Sequence, residues 1–506
     1  MNKLVLLSFG LLLCSFGLFA KTKVVIVGAG LSGLKAAKEL IKEKGAANVE
    51  IEVYESGDRV GGRVFSHRFA NSDAYVEFGA TFVNKDHQTL IAEVKDSGLF
   101  LQKLPGKENR KFTYIINGKV YSAHEIFSLC RPYLEAMKKD QTHFEQSVEK
   151  FGVADRSVYA TKTVEEYLTE LSAKISTEGN HFDLLKKVIS STLADELAQP
   201  IEKLTLQHLF MQMGIDLEKE SFDPFIDSDE ALKIKGGNQL VADKMADYIR
   251  QQGGKIYFSH ELLAVDQTEN GKSLTLSFKN GENKIINVAT DFTVLTPTPK
   301  VLANNVKFNS LQIEELLAKQ NINRPIGSTT KIVFEYKEAF WRNLSVDPRT
   351  IGEYFQLWDS SEFSNHGHGP FTLTAYLNNQ ASREYDESGR SAMGKKVLNE
   401  MKVLFPQIEE NLVAIHETVD WQRHPHFGGS YSGAIVEETE SSAIEISPHV
   451  GKIYFAGEVW DNKYAGFMEG AMRTGGRVAR EISKRSGETL PSEKGCFGFI
   501  SLFLNN

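Results

Sequence analysis

The chain has 506 residues, of which 41% are hydrophobic and 25% charged, and a formal net charge of −8. This is the make-up of a globular enzyme with room for two or three cores, and without a sustained basic run it excludes a nucleic-acid binder. The three cysteines, Cys14, Cys130 and Cys496, exclude a disulfide framework and a CxxC-type zinc site.

Lys3 is followed by an apolar run from Leu4 to Leu13 and then Ser15–Ala20, the charged region, hydrophobic region and ending of a secretory signal. The expectation is cleavage after Ala20 and an exported chain, periplasmic or extracellular; an uncleaved membrane anchor is the competing reading. Cys14 falls inside this signal, so Cys130–Cys496 is the one bridge open to the mature chain.

Residues 23–27 (KVVIV) read as a strand buried in a parallel sheet. Residues 30–44 place Leu31, Leu34, Ala37, Leu40 and Ile41 on one helical face, with Gly45 as C-cap. Residues 49–54 (VEIEVY) form the second strand, and the crossover makes the pair parallel. Between strand and helix stands Gly28-Ala29-Gly30-Leu31-Ser32-Gly33. Gly28 permits the tight turn, Gly30 lets backbone approach a pyrophosphate, and Gly33 lets helix and strand pack closely. Leu31 and Ser32 open the helix, whose N–H groups face the phosphates. Glu55 ends the second strand, where a ribose-binding acid belongs.

The block that follows, "ESGDRVGGRV", adds Gly61 and Gly62 for a second close approach and Arg63 to neutralise phosphate. A plain nicotinamide dehydrogenase has no need of it. Export argues the same way. A diffusible nicotinamide has no recycling partner outside the cytoplasm, whereas a bound flavin reoxidised by O2 needs none. Both arguments point to FAD.

Beyond residue 83 the pattern changes. Residues 124–215 are largely helical, and Thr163-Val164-Glu165-Glu166 is a capping box. Residues 233–298 read as strands separated by turns such as "ENGK" and "KNGEN". Further strands are expected at 329–336, 371–377 and 452–456, and a last helix from about Gly466 to Arg485, stopping near Gly487. Nucleotide-type elements at both ends and in the middle predict an α/β fold. A Rossmann-like FAD-binding domain would comprise 22–82, 232–300 and 415–490. A discontinuous mixed α+β substrate-binding domain would comprise 83–231 and 301–414. The apolar tail at 491–506 is too short to span a bilayer; it docks on the protein's own surface or makes a weak contact with a membrane surface. His366-Gly367-His368 and His424-Pro425-His426 lack a third ligand, so no metal site is expected. No GxSxG or HExxH motif is present.

Four blocks together resemble the flavin-containing amine oxidase family, which includes monoamine and polyamine oxidases. They are 23–65, 77–83 (EFGATFV), 421–433 (WQRHPHFGGSYSG) and 453–482, with 236–249, 294–302 and 324–341 between them. The resemblance implies oxidation of an amine to an imine and aldehyde, with O2 reduced to H2O2. It implies that Val265 lies by the adenine through backbone contacts, and that Gly457 and Glu458 approach the phosphate and ribityl region. Gly466, Phe467 and Met468 would open a helix aimed at the flavin pyrimidine. Lys331 would hold a water near flavin N5 and assist reaction with O2. Tyr431 and Phe467 would flank the amine; the second position is often Tyr in this family, and Tyr464 is the candidate to supply the missing phenol. Ser430 stands where monoamine oxidases carry a flavin-linked cysteine, so the FAD is expected to be noncovalent.

The small-molecule substrate is expected to be a primary amine or polyamine. Gly79-Ala80-Thr81-Phe82 lacks the arginine with which amino-acid oxidases hold a carboxylate. In an exported L-amino-acid oxidase, Arg324 or Arg342 would have to serve instead. The sequence also leaves open a flavin-dependent desaturase or isomerase of an apolar substrate, and a non-catalytic flavoprotein binding module. Nothing in the sequence specifies an oligomeric state.

Overall fold

A computed structural model describes residues 21–486 apart from 71, 105–111, 152–157, 176–180, 224–228, 269–270, 272, 345–347, 362–368, 379–380, 383, 385–389 and 434–447. Residues 1–20, expected to be a signal, the apolar tail, Cys14, Cys496, His366-Gly367-His368 and the expected helix stop at Gly487 lie outside the described residues.

The strand Thr22–Val27 lies inside a six-stranded sheet. The order is Lys255–Tyr257, Val49–Tyr54, Thr22–Val27, Phe292–Leu295, Ile453–Phe455, His449–Val450. The first five strands run parallel and the last antiparallel. The continuous apolar run of the first strand is explained by its two buried faces. Val24 and Ile26 pack under the helices Leu31–Lys44, Gln239–Gln251 and Met468–Arg485. Val25 and Val27 face Leu262, Val265 and Leu276 of an antiparallel sheet built on Glu261–Gln267 and Leu274–Lys279. Gly45 closes the first helix at φ +78° as expected. The first and last helices touch backbone to side: a Cβ on Gly475 would lie 2.3 Å from the Ser32 carbonyl oxygen.

The other unit is a seven-stranded sheet ordered Leu412–Glu417, Thr330–Tyr336, Phe371–Leu377, Phe355–Asp359, Thr350–Gly352, Thr113–Ile116, Lys119–Ser122. Beside it the helices Ala123–Phe151, Val164–Lys174, His181–Leu197 and Leu206–Gln212 bury a core of their own. The capping box is present: Thr163 Oγ1 accepts from Glu166 N at 3.1 Å and Glu166 Oε2 from Thr163 N at 2.9 Å.

Three features differ from the reading of the sequence. The stretch 233–298 is not all strand, because Val241, Ala242, Met245, Ala246 and Ile249 recur at helical spacing and are all buried in the helix Gln239–Gln251. Ile285–Thr290 is an added strand at the sheet edge, and with Val288 its one buried residue it lacks a buried face to mark it. The packing also moves the domain boundaries. Leu90, Ile91 and Val94 join the nucleotide core, and Leu302, Ile313 and Leu317 pack with Val25 and Val27. Leu412–Glu417 pairs with Thr330–Tyr336, so the change of unit comes after residue 417. Among the described residues no helix is long and apolar enough to cross a membrane.

A Cβ on Gly33 would lie 2.1 Å from the Gly28 carbonyl oxygen and 3.2 Å from Ile26 Cγ2. Gly33→Ala is therefore expected to cost roughly 1–3 kcal/mol, read as a lowered melting temperature.

Candidate active site

A cavity of about 340 Å³ begins at the carboxyl ends of the parallel strands and runs to the seven-stranded sheet, the place where sheets of this kind bind ligands. Gly28 turns at φ +98°, where a Cβ would meet Thr296 Oγ1 at 2.3 Å. Gly30 has nothing within 4 Å of an added Cβ; it faces open cavity. Gly61 N donates to Ala29 O at 2.8 Å, which sets the second glycine turn beside the first. Gly62 and Arg63 continue the same wall, as do Leu31 and Ser32. Glu55 is buried at the wall, its Oε2 accepting from Ala29 N at 2.7 Å and its Oε1 from Gly57 N at 2.8 Å. An open glycine cradle, a helix N-terminus without a capping side chain and a buried acid fit the pyrophosphate and ribose of a dinucleotide. Gly33 does not line the cavity; it packs beneath it. Val265, expected to act through its backbone, does not line the cavity. Its side chain is buried among Val25, Val27 and Tyr54, because its strand lies on the far face of the sheet.

Arg63 has a prior partner. Its Nη1 donates to Glu458 Oε1 at 2.8 Å and to Ser430 O at 2.9 Å. Glu458 also accepts from Gly466 N at 2.7 Å, from Ser432 N at 3.2 Å and from the Ser432 hydroxyl. Burial alone would raise the Glu458 pKa; the Arg63 charge and these hydrogen bonds outweigh it and hold the carboxyl below its ordinary value. Gly466, Phe467 and Met468 reach the wall at the N-terminus of Met468–Arg485, and Gly457 reaches it just after the strand Ile453–Phe455, its N–H donating to Thr474 Oγ1 at 3.0 Å.

At the other end Lys331 is buried, with Nζ donating to Gly79 O at 2.5 Å, to Glu77 O at 3.2 Å and to the Thr81 hydroxyl. Burial pushes its pKa down and that of the nearby Glu77 up. Across three neighbouring strands Lys331, Tyr376 and Gln356 stand directly opposite one another, and all line the cavity. Trp358, two residues along from Gln356, puts its ring 5.8 Å from Lys331 Nζ. Tyr431 meets the Tyr376 hydroxyl at 2.7 Å and donates to the Asp195 carbonyl oxygen. Phe467 lies on the wall with its ring centroid 5.2 Å from that of His87.

Several candidates stand elsewhere. Tyr464 turns its hydroxyl to Asp86 Oδ2 at 3.0 Å and is not on the wall, so it restores no phenol beside Phe467. Arg342 is held by Asp359 at 2.8 Å, and Arg324 is buried near Asn462; neither reaches the cavity. The Ser430 hydroxyl accepts from Thr329 N at 3.2 Å and donates to Gly327 O at 3.1 Å. His426 lines the cavity, and among the described residues no group of acids, histidines or cysteines could hold a metal. Tyr376, Gln356, Trp358 and Asp195 were not foreseen; the period-two spacing of 356 and 358 was their one local signal.

A parallel dinucleotide-binding sheet opening onto a chamber with a buried lysine and paired phenols defines a nucleotide-dependent oxidoreductase. The chain belongs to the family "Flavin containing amine oxidoreductase", whose model matches residues 31–483, and its cofactor is FAD. It is 26% identical over 486 residues to amine oxidase [flavin-containing] B of Bos taurus, covering 93% of this chain and 87% of that protein. The Homo sapiens B enzyme is 24% identical over 487 residues, covering 92% and 87%. Among solved structures, putrescine oxidase bound to putrescine superposes with a TM-score of 0.70 at 19% identity, over 92% of this chain and 100% of that one. Cyclohexylamine oxidase from Brevibacterium oxydans gives 0.68 at 22% identity, over 93% and 100%.

Arg63→Ala would leave Glu458 buried without its cation. The expected cost is up to about 3 kcal/mol, since Arg63 is itself partly exposed. In the wild type the Glu458 contribution is full above the ordinary glutamate value of about 4.3 and is lost as pH falls below it. In the variant burial would raise that pKa, and acid would relieve the strain. The gap in melting temperature should therefore be widest at neutral pH and close on acidification.

Proposed function

We propose that this chain is an exported oxidase that converts a primary amine or polyamine to the imine, and so to the aldehyde, with O2 as electron acceptor. The observation that carries the reading is the wall on which buried Lys331 stands beside the Tyr376–Tyr431 phenol pair. Gly30, Leu31, Ser32, Gly61 and Gly62 would hold the FAD pyrophosphate, Glu55 its ribose, Gly457 the phosphate and ribityl region, and Gly466 and Met468 its ring end. Bound FAD would supply the two-electron acceptor for the amine and the electron donor that turns O2 into H2O2.

The protein's own part is binding, orientation and exclusion of water. Aromatic walls favour the neutral amine by desolvation. The Tyr431 ring is fixed at its hydroxyl by Tyr376 and the Asp195 carbonyl, so it cannot swing out of line. Three oxygens fix Lys331 Nζ, and burial eases its loss of a proton. Exchange of the Thr81 hydroxyl for a water would let Nζ hold that water and present a proton to reduced oxygen. Among the described residues, the lysine and arginine side chains on the wall are Lys331 and Arg63, and both are engaged. That favours an amine over an L-amino acid, whose carboxylate needs a cation. A polar lysine and acidic wall suit an apolar desaturase or isomerase substrate poorly. Noncovalent FAD is supported by Ser430, which forms no thioether, and export by residues 1–20.

Under anaerobic conditions, primary amines or polyamines should bleach the flavin band of the purified protein, and air should restore it with formation of H2O2. Bleaching by amino acids alone would sink the amine reading, and bleaching by hydrocarbons alone would favour the desaturase. Lys331→Met should leave anaerobic reduction in place and slow reoxidation by roughly 10²-fold, followed by stopped flow. Acid precipitation should release all the FAD; flavin retained in the pellet would contradict noncovalent binding.

A further inference from the structure

The chamber contains a carboxylate oxygen with no partner. Asp195, in the last turn of His181–Leu197, is only 3% exposed and lines the cavity. Its Oδ2 accepts from Gln356 Nε2 at 2.8 Å, while its Oδ1 is buried without a hydrogen bond. Its own peptide carbonyl takes the Tyr431 hydroxyl, so the residue is tied to the ring that borders the reacting amine. Glu196 follows it on the same wall. Burial pushes the Asp195 carboxyl well above its ordinary value; the Gln356 bond opposes this and Glu196 adds to it.

Such a group is costly to keep unless something binds it. A neutral donor would satisfy Oδ1 but leave the carboxylate charge uncompensated. A cation does both, in a charge-assisted hydrogen bond. The cationic side chains of the wall cannot serve, because Arg63 is committed to Glu458 and Lys331 to Gly79, Glu77 and Thr81. Resting on the amine-oxidase reading above, we infer that Asp195 binds a second ammonium group of the substrate. The enzyme then selects α,ω-diamines and longer polyamines over monoamines of the same length.

The test compares three substrates of one chain length on the holoenzyme: the α,ω-diamine, the monoalkylamine, and the diamine acetylated at one end, which keeps its length and loses its second charge. The diamine should lead in kcat/KM by about tenfold or more, with the difference in KM rather than kcat, as for binding remote from the reacting bond. In Asp195→Asn the lead should collapse while bound FAD and the melting temperature are retained. Equal kcat/KM for all three substrates in the wild type would overturn the inference, and needs no variant. So would an Asp195→Asn protein that weakens all three alike, which is the mark of a structural role. If none of the three reduces the flavin, the amine-oxidase reading itself fails; if all reduce it without preference, only this inference does.

Discussion

The cofactor end of the chamber depends on one buried carboxylate. Glu458 cannot sit in the interior ionised unless every lone pair is answered. The answers come from Arg63 on the second glycine turn, from Ser432, and from Gly466 before the last helix. Arg63 is hundreds of residues from the other two, and the need to satisfy one acid brings all three to one point. The same constraint explains why Arg63 faces a glutamate as well as the phosphate side of the cavity.

The reactive end obeys a different rule, that of strand register. Lys331, Tyr376 and Gln356 are opposite one another because Thr330–Tyr336, Phe371–Leu377 and Phe355–Asp359 pair antiparallel in that alignment. A one-residue slip of any of these strands would turn its own side chain away from the chamber. Helix His181–Leu197 then closes the row from outside the sheet, through the Gln356–Asp195 bond and the Tyr431 contact. A wide apolar core, with Trp341, Phe334 and Phe355 fully buried, keeps this register.

What was legible in the sequence was whatever is encoded locally. Gly28, Gly30 and Gly33 state their purpose through turn geometry and close packing, and the strand and helix around them lie within one residue of expectation. Lys331, Tyr431, Phe467 and Glu458 were placed through family resemblance, and the structure gathers them on one cavity. What escaped was nonlocal. Tyr376 and Gln356 become neighbours of Lys331 only through pairing, and Asp195 reaches the chamber from a helix whose pattern shows only its core face. Tyr464 was expected to supply a phenol for its neighbourhood in sequence, but it points toward Asp86. The helix Gln239–Gln251 was lost among strands because its flanks look extended.

The five parallel strands come from residues 22, 49, 255, 292 and 453 onward, so neighbours in the sheet are remote in the chain. The sheet that carries the cofactor cradle thus has a high contact order. On a ribosome making the chain from its N-terminus, the first βαβ unit emerges before its neighbouring strand Phe292–Leu295 and the covering helix Met468–Arg485 are made. A chain stopped short of that helix would contain the whole glycine motif and still have no finished pocket, so cofactor loading waits for that helix.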